Sequence, residues 1–466
     1  MRKWLPLFAA CLGTFMLLID VTIVNVALPD IAADLHTGLS GLQWVVDGYA
    51  LALAALLLVL GSLADRVGAK PTYLIGLVLF AAASLACGLA HSSEFLVAAR
   101  TAQGIGGAAM FATTLSLLHA TYTGKDRGIA FGAWGAVAGA AAGIGVVLGG
   151  VLTDLLSWRW IFFVNLPIAA VTIALSASVF GPSQRRADRK VDLPGMISFA
   201  VAATAVTYGI IRAGEHGWGD TQAAATILAG VIAGIAFVVI ESRSAAPMLP
   251  LSLLRSPGFA ATLIAAAGLN FAAFAANPLI SLWLQQQLHL SPLRAGLSML
   301  PMALTAFLVS GMFGRLLHDL APQWSIGAGL VVLGAGSGLL TIIGSGSDWA
   351  ALVPGFVVIG IGVGIVAPAV VGAGMAAVPP QQSGTAAGAV NTARQLGLAL
   401  GVALLGTVFR NGAGSGPISL PHFVTGLDTA VGVAGAVGVV AGVIAFALFR
   451  VQQRVPDVIE EPVLVG

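Results

Sequence analysis

Four ionisable side chains, Asp20, Asp47, Arg100 and Arg394, lie inside stretches otherwise dominated by Leu, Ile, Val, Ala, Gly and Phe. A charged group in such surroundings is costly and reads as functional by default. Asp20 sits in the middle of the first stretch. A carboxyl taken out of water can hold a proton in one state and release it in another, which is the chemistry of proton coupling. The plainer alternative is an acid that bonds neighbouring hydroxyl or amide groups and fixes helix packing. Arg100, a turn or two into its stretch, needs a carboxylate, backbone carbonyls or water, unless it snorkels to an interface. Asp47, between Trp44 and Tyr49, either attracts cations at the mouth of a cavity or is an interfacial acid in an aromatic belt. Arg394, two to three turns into its stretch, should face the interior with a polar partner, in a packing or a transport role. Asn270 and Asn277, seven apart, would share one helical face. With Asn25, Asp47 and Arg394 they are candidates to line a cavity.

The elements that position these groups follow from composition. The chain of 466 residues is 58% hydrophobic and only 9% charged, against about 25% charged in soluble domains. Lipid must therefore be its solvent. Fourteen apolar stretches, the first at about 5–28 and the last at about 427–449, are each near the ~20 residues that a spanning helix needs. They are continuously apolar, which excludes the alternating pattern of a β-barrel. The first stretch is longer than a signal-peptide core and no A-x-A site follows it, so it reads as a retained helix. With both termini placed in the cytoplasm, fifteen of the 21 Lys and Arg fall on the inner side, four on the outer side and two inside spans, obeying the positive-inside rule.

The layout reads as a six-helix half over 1–180, a two-helix insertion with cytoplasmic linkers over 181–257, a second six-helix half over 258–451 and a short cytoplasmic tail over 452–466. Two six-span halves with a substrate site between them form a recurrent transporter plan. The two cysteines, Cys11 and Cys87, both inside spans, argue against a disulfide framework or a metal cluster. No phosphate-binding G-x-x-x-x-G-K-[ST] loop occurs, so ATP is not expected to drive the chain. No enzyme-like grouping of side chains is evident, and no nucleic-acid partner, cofactor or metal is expected.

Longer strings then carry a resemblance. Gly61-Ser62-Leu63-Ala64-Asp65-Arg66-Val67-Gly68-Ala69-Lys70 follows the second span and resembles the loop signature of the major facilitator superfamily, with Ala69 at a usually basic place. Asp20 to Pro29 resembles the first-helix motif of that superfamily's fourteen-span drug:proton antiporters, and Arg100 to Gly106 their fourth-helix arginine motif. Ser157 to Pro167, Ser291 to Gly296 and Asn391 to Gln395 are similar to further markers of the same family. In the fifth stretch Gly135, Gly139, Gly143, Gly145, Gly149 and Gly150 allow close helix approach and resemble the antiporter motif, except that Val146 stands where the family has proline.

The resemblance implies an all-α major facilitator fold of fourteen spans, two six-helix halves plus two central helices, in the cell membrane. It implies proton-coupled efflux of small amphipathic drugs or antibiotics by alternating access, with Asp20 and Arg100 in proton coupling. The Gly61–Lys70 loop, through Gly61, Asp65, Arg66, Gly68 and Lys70, would latch the inner gate, and the glycine face of helix 5 would pack the outer one. The expected partners are the bilayer, protons and a small molecule, with a monomer as the unit. Interior acids are few, so neutral or singly cationic substrates are expected. An uptake symporter, favoured by Val146, and a non-transporting membrane sensor are the alternatives.

Overall fold

A computed structural model of the chain describes residues 2–181, 192–244, 247, 249–316, 320–344, 346–378, 383–414 and 420–454. Backbone polar groups in lipid have no water to bond, so a spanning segment must satisfy them internally, and helix is the local solution. Fourteen long helical segments result: α1 (Leu5–Asp34), α2 (Leu39–Val67), α3 (Ala69–Gly88), α4 (Ser93–Thr121), α5 (Gly124–Leu155), α6 (Trp160–Val179), α7 (Leu193–His216), α8 (Thr221–Arg243), α9 (Pro257–Gln287), α10 (Pro292–Leu316), α11 (Gln323–Ile342), α12 (Trp349–Ala376), α13 (Ser383–Ala413) and α14 (Leu420–Arg454). Several starts are capped by side chains. Ser92 accepts from the Phe95 N–H, Asp192 from Gly195 and Asp220 from Ala223, each occupying one donor that a helix start leaves free.

Twelve of these segments are long and apolar enough to cross a membrane. The other two are α4, which carries Glu94, Arg100 and Gln103, and α5, whose described stretch Gly143–Leu155 is a shorter apolar helix. The fourteen apolar spans expected from sequence are therefore twelve by this measure among the described residues.

Two helices are interrupted for the same reason. Proline lacks an N–H and clashes with the carbonyl four residues before it. Pro167 stands four residues after Phe163, where the first turn of α6 stops before resuming at Asn165. Pro278 stands four residues after Phe274, where the first part of α9 stops before resuming at Asn277. Asn270 and Asn277, expected on one helical face, lie on either side of the break at Ala275 and Ala276, both of which keep right-handed helical dihedrals. Further along, α9 ends in a π turn over Trp283–Gln287.

Helices α1 to α6 pack on one another, as do α9 to α14, and the two groups meet chiefly where α2 lies on α13, α5 on α10 and α1 on the second part of α9. Helices α7 and α8 pair with each other, and α7 docks on α13 and α2. At that dock the Thr407 hydroxyl donates to the Ile210 carbonyl, and a Cβ on Gly214 would come within 2.6 Å of Thr407 Oγ1.

Candidate functional site: a buried carboxylate–guanidinium network

Asp20, at the middle of α1, has no exposed surface, and Arg100 of α4 is 2% exposed. They form a direct ion pair between Arg100 Nη1 and Asp20 Oδ2. The other carboxylate oxygen, Oδ1, accepts from Gln103 Nε2 at 2.7 Å and from Asn165 Nδ2 at 2.9 Å. Gln103 follows Arg100 by three residues, so both project from one face of α4, and Arg100 Nη1 also donates to Gln103 Oε1 at 2.8 Å. Asn165 is the first residue after the Pro167 break in α6. Ser84 of α3 completes the cluster: its oxygen accepts from Asn165 Nδ2 at 3.0 Å and its hydroxyl donates to the Phe162 carbonyl at 2.9 Å. Beneath the guanidinium lies the Tyr49 ring, 4.2 Å from Arg100 Cζ, and Arg100 Nε donates to the Val45 carbonyl at 3.3 Å.

Five helices thus contribute to one network, in which α4 and α6 bond the carboxylate of α1 directly. A buried ion pair is tolerable only when further hydrogen bonds satisfy both partners, and here each oxygen of Asp20 has at least one donor. A proton arriving on Asp20 would remove the charge that holds Arg100. Sequence reading found Asp20 and Arg100 but not Gln103, Ser84, Asn165 or Tyr49. The signal for Gln103 was its i+3 spacing from Arg100. Asn165 could have been suspected from its place beside a mid-span proline.

Asp47 differs from both of its expected settings. It has no exposed surface, and neither carboxylate oxygen has a hydrogen-bond partner among the described residues. It lies four residues after Gln43, whose Nε2 donates to the Val402 and Ala403 carbonyls of α13, which places it in the α2–α13 seam. The expected aromatic belt is absent too: Tyr49 is buried under Arg100, and Trp44 packs on Tyr208 of α7.

The α1–α9 seam holds Asn25, 8% exposed, beside Val26, whose carbonyl accepts from Gln285 Nε2 at 2.7 Å. Asn277, also buried, opens the second part of α9. In α13, Arg394 is half-buried and its Nε donates to Asn270 Oδ1 of α9 at 3.4 Å.

The glycines of α5 serve two seams. A Cβ at Gly145 would lie 3.1 Å from the Ile19 carbonyl oxygen of α1, and one at Gly149 2.7 Å from that of Ile23. One at Gly150 would lie 2.8 Å from Leu293 Cα of α10, and one at Gly143 3.0 Å from Ala303 Cβ. Val146 sits on this second face, its carbonyl oxygen 2.7 Å from a Cβ built on Gly296. The side-chain positions of Gly135 and Gly139 lie outside the described residues.

In the Gly61–Lys70 loop, Gly68 has φ +116°, a region that favours glycine. Lys70 Nζ donates to the Ala177 and Phe180 carbonyls at 2.7 and 2.6 Å, closing the C-terminal end of α6. These bonds stay within the first six helices. Gly61 lies within α2, and Arg66 is exposed near its end; the Asp65 side chain lies outside the described residues. On the opposite side, a clasp that sequence reading missed joins three connections: Arg159 Nη1 and Trp158 Nε1 both donate to Asp34 Oδ2, at 2.7 and 3.0 Å, and Arg159 Nη2 donates to the Ala90 carbonyl.

Long apolar helices in two facing groups, with a charged network sealed inside one of them, define a multi-pass membrane transport protein. Residues 10–402 match the Major Facilitator Superfamily, and the chain belongs to it. It is 37% identical over 406 residues, 87% of this chain and 75% of the relative, to the multidrug resistance protein Stp of Mycobacterium tuberculosis (strain CDC 1551 / Oshkosh). It is 34% identical over 405 residues to the methylenomycin A resistance protein of Streptomyces coelicolor, covering 86% of this chain and 85% of that one. To the cephamycin export protein CmcT of Amycolatopsis lactamdurans it is 36% identical over 424 residues, with coverages of 89% and 86%. Among solved structures it resembles the peptide transporter POT in complex with sulfate, with a TM-score of 0.70, 15% identity and coverage of 96% and 95%. It also resembles the human organic anion transporter MFSD10, with a TM-score of 0.64, 15% identity and coverage of 96% and 99%. These two likenesses carry the fold.

Proposed function

We propose that this chain is a proton-coupled efflux transporter that exports small amphipathic drugs or antibiotics by alternating access. The observation that carries the reading is the sealed Asp20–Arg100–Gln103–Asn165 network, a group that can exchange a proton for a rearrangement of helices. The relatives' roles in resistance and export supply the direction. Asp20 is the proton-carrying group: ionised, it is held by Arg100, Gln103 and Asn165; protonated, it releases Arg100 and lets α1 and α4 shift. The α5 glycine face on α10 closes the outer path, and the Gly61–Lys70 loop steadies the inner end of the first half. The driving force is the proton gradient with the membrane potential, about 2.3 kcal/mol per charge per 100 mV.

In this reading α4 and α5 also cross the bilayer, giving fourteen spans with both termini cytoplasmic in the cell membrane. Residues 1–180 and 258–451 are the two moving halves, the helices within 181–257 form a lateral pair, and residues 452–466 a short cytoplasmic tail. One chain is the working unit, and ATP takes no part.

The test is accumulation of rhodamine 123 in everted membrane vesicles under an acid-inside gradient. Accumulation that requires this chain and collapses with a protonophore is expected. Gradient-independent movement, or depletion from the vesicles, would contradict proton-driven export.

A further inference from the structure

Resting on that transport reading, we infer that Arg394 reads an ionised acidic group, a carboxylate, on the exported molecule. Arg394 stands about three turns into α13, at a depth where a guanidinium facing lipid would be costly. Its one polar contact among the described residues is the 3.4 Å bond from Nε to Asn270, and no carboxylate among them comes within ion-pair distance. The side chain keeps accessible surface, while Thr392 and Leu398 on either side of it are buried, as is Asn270. The guanidinium therefore borders internal space, with its terminal nitrogens left open.

Neither mid-span acid of the first half is open to oppose it. Asp20 is bound to Arg100, Gln103 and Asn165, and Asp47 has no exposed surface. The charge open to a ligand at Arg394 is thus positive. Arginine presents a planar fork of donors that matches a carboxylate in two parallel bonds. The sequence expectation of neutral or singly cationic substrates counted acids alone, and this inference departs from it.

A matched dye pair tests this: rhodamine 110, which bears a free carboxylate, and rhodamine 123, its methyl ester. Binding of each to the purified full chain in detergent is read by fluorescence anisotropy. The wild type should prefer the acid by about tenfold, the size expected for one charge-assisted hydrogen-bond pair. Arg394→Gln should bring the ratio to about one, and Arg394→Lys should retain part of the preference, with thermal unfolding of each variant as the folding control. Equal binding of both dyes by the wild type, binding of neither, or a preference indifferent to Arg394→Gln would overturn the assignment. Accumulation in everted vesicles separates this from the export reading. Acid-selective binding without gradient-driven accumulation leaves the site standing and removes export; equal accumulation of both dyes keeps export and overturns the acid reader.

Discussion

Two sites of the molecule, one in each half, treat inward-facing charge in opposite ways. In the first, Asp20 and Arg100 are sealed by amides from α4 and α6 and by the ring of Tyr49, with five helices contributing. In the second, Arg394 has one long bond to Asn270 and open space beside it. A saturated network resists ligands and responds to whatever removes its charge, and a proton is small enough to do so. An unsaturated guanidinium waits for a ligand. On the proposed reading, coupling belongs to the first half and recognition to the second.

The largest expected effect comes from breaking the saturated side. Asp20→Ala leaves Arg100 buried without its counterion and should destabilise the chain by about 3–5 kcal/mol. The double variant Asp20→Asn with Arg100→Gln should cost markedly less than the sum of the single changes, read by thermal unfolding in detergent. Additive costs would mean that the pair is not a unit.

Next in size is the α5–α10 seam. Gly150→Val places side-chain atoms against the Leu293 backbone and should lower gradient-driven transport by about tenfold, the equivalent of about 1.4 kcal/mol. Gly143→Ala, which meets only the Ala303 methyl, should be far milder. Equal effects would remove the seam from the transport cycle.

Smaller still is Gln285→Ala, which loses one bond between α1 and α9 and should cost about 1 kcal/mol in the thermal stability of the closed seam. The smallest effect is at Asp220, outside the spans. The N–H of Ala223, and then Arg212, hold its carboxyl below the usual carboxylate range. A lowered pKa contributes stability that is present above the unfolded value and is lost as pH falls through the folded one. The stability difference between wild type and Asp220→Asn should therefore be present at neutral pH and vanish in acid; a difference unchanged by pH would exclude the cap and pair as its source.

Much of this was legible in the sequence, and the gaps have physical causes. Asp20 and Arg100 stood out because charge is rare in apolar runs, but their contact joins residues 80 apart, and no local pattern encodes which helices meet. Asn165 was hidden because an amide beside Pro167 reads as an ordinary helix start. Asp47 was misread because Trp44 and Tyr49 have the composition of an interfacial belt; only the packing shows that one lies under Arg100 and the other on Tyr208. The spans were counted by apolar length, and α4 shows the limit of that measure, since Glu94, Arg100 and Gln103 stand where length alone expects leucine.

The most direct test of the central claim separates coupling from transport. In proteoliposomes holding wild type or Asp20→Asn, substrate exchange without a gradient is compared with uphill accumulation under an imposed proton gradient. If Asp20 carries the proton, the variant keeps exchange and loses uphill accumulation. Uphill accumulation preserved in Asp20→Asn would contradict the account and place the coupling proton elsewhere.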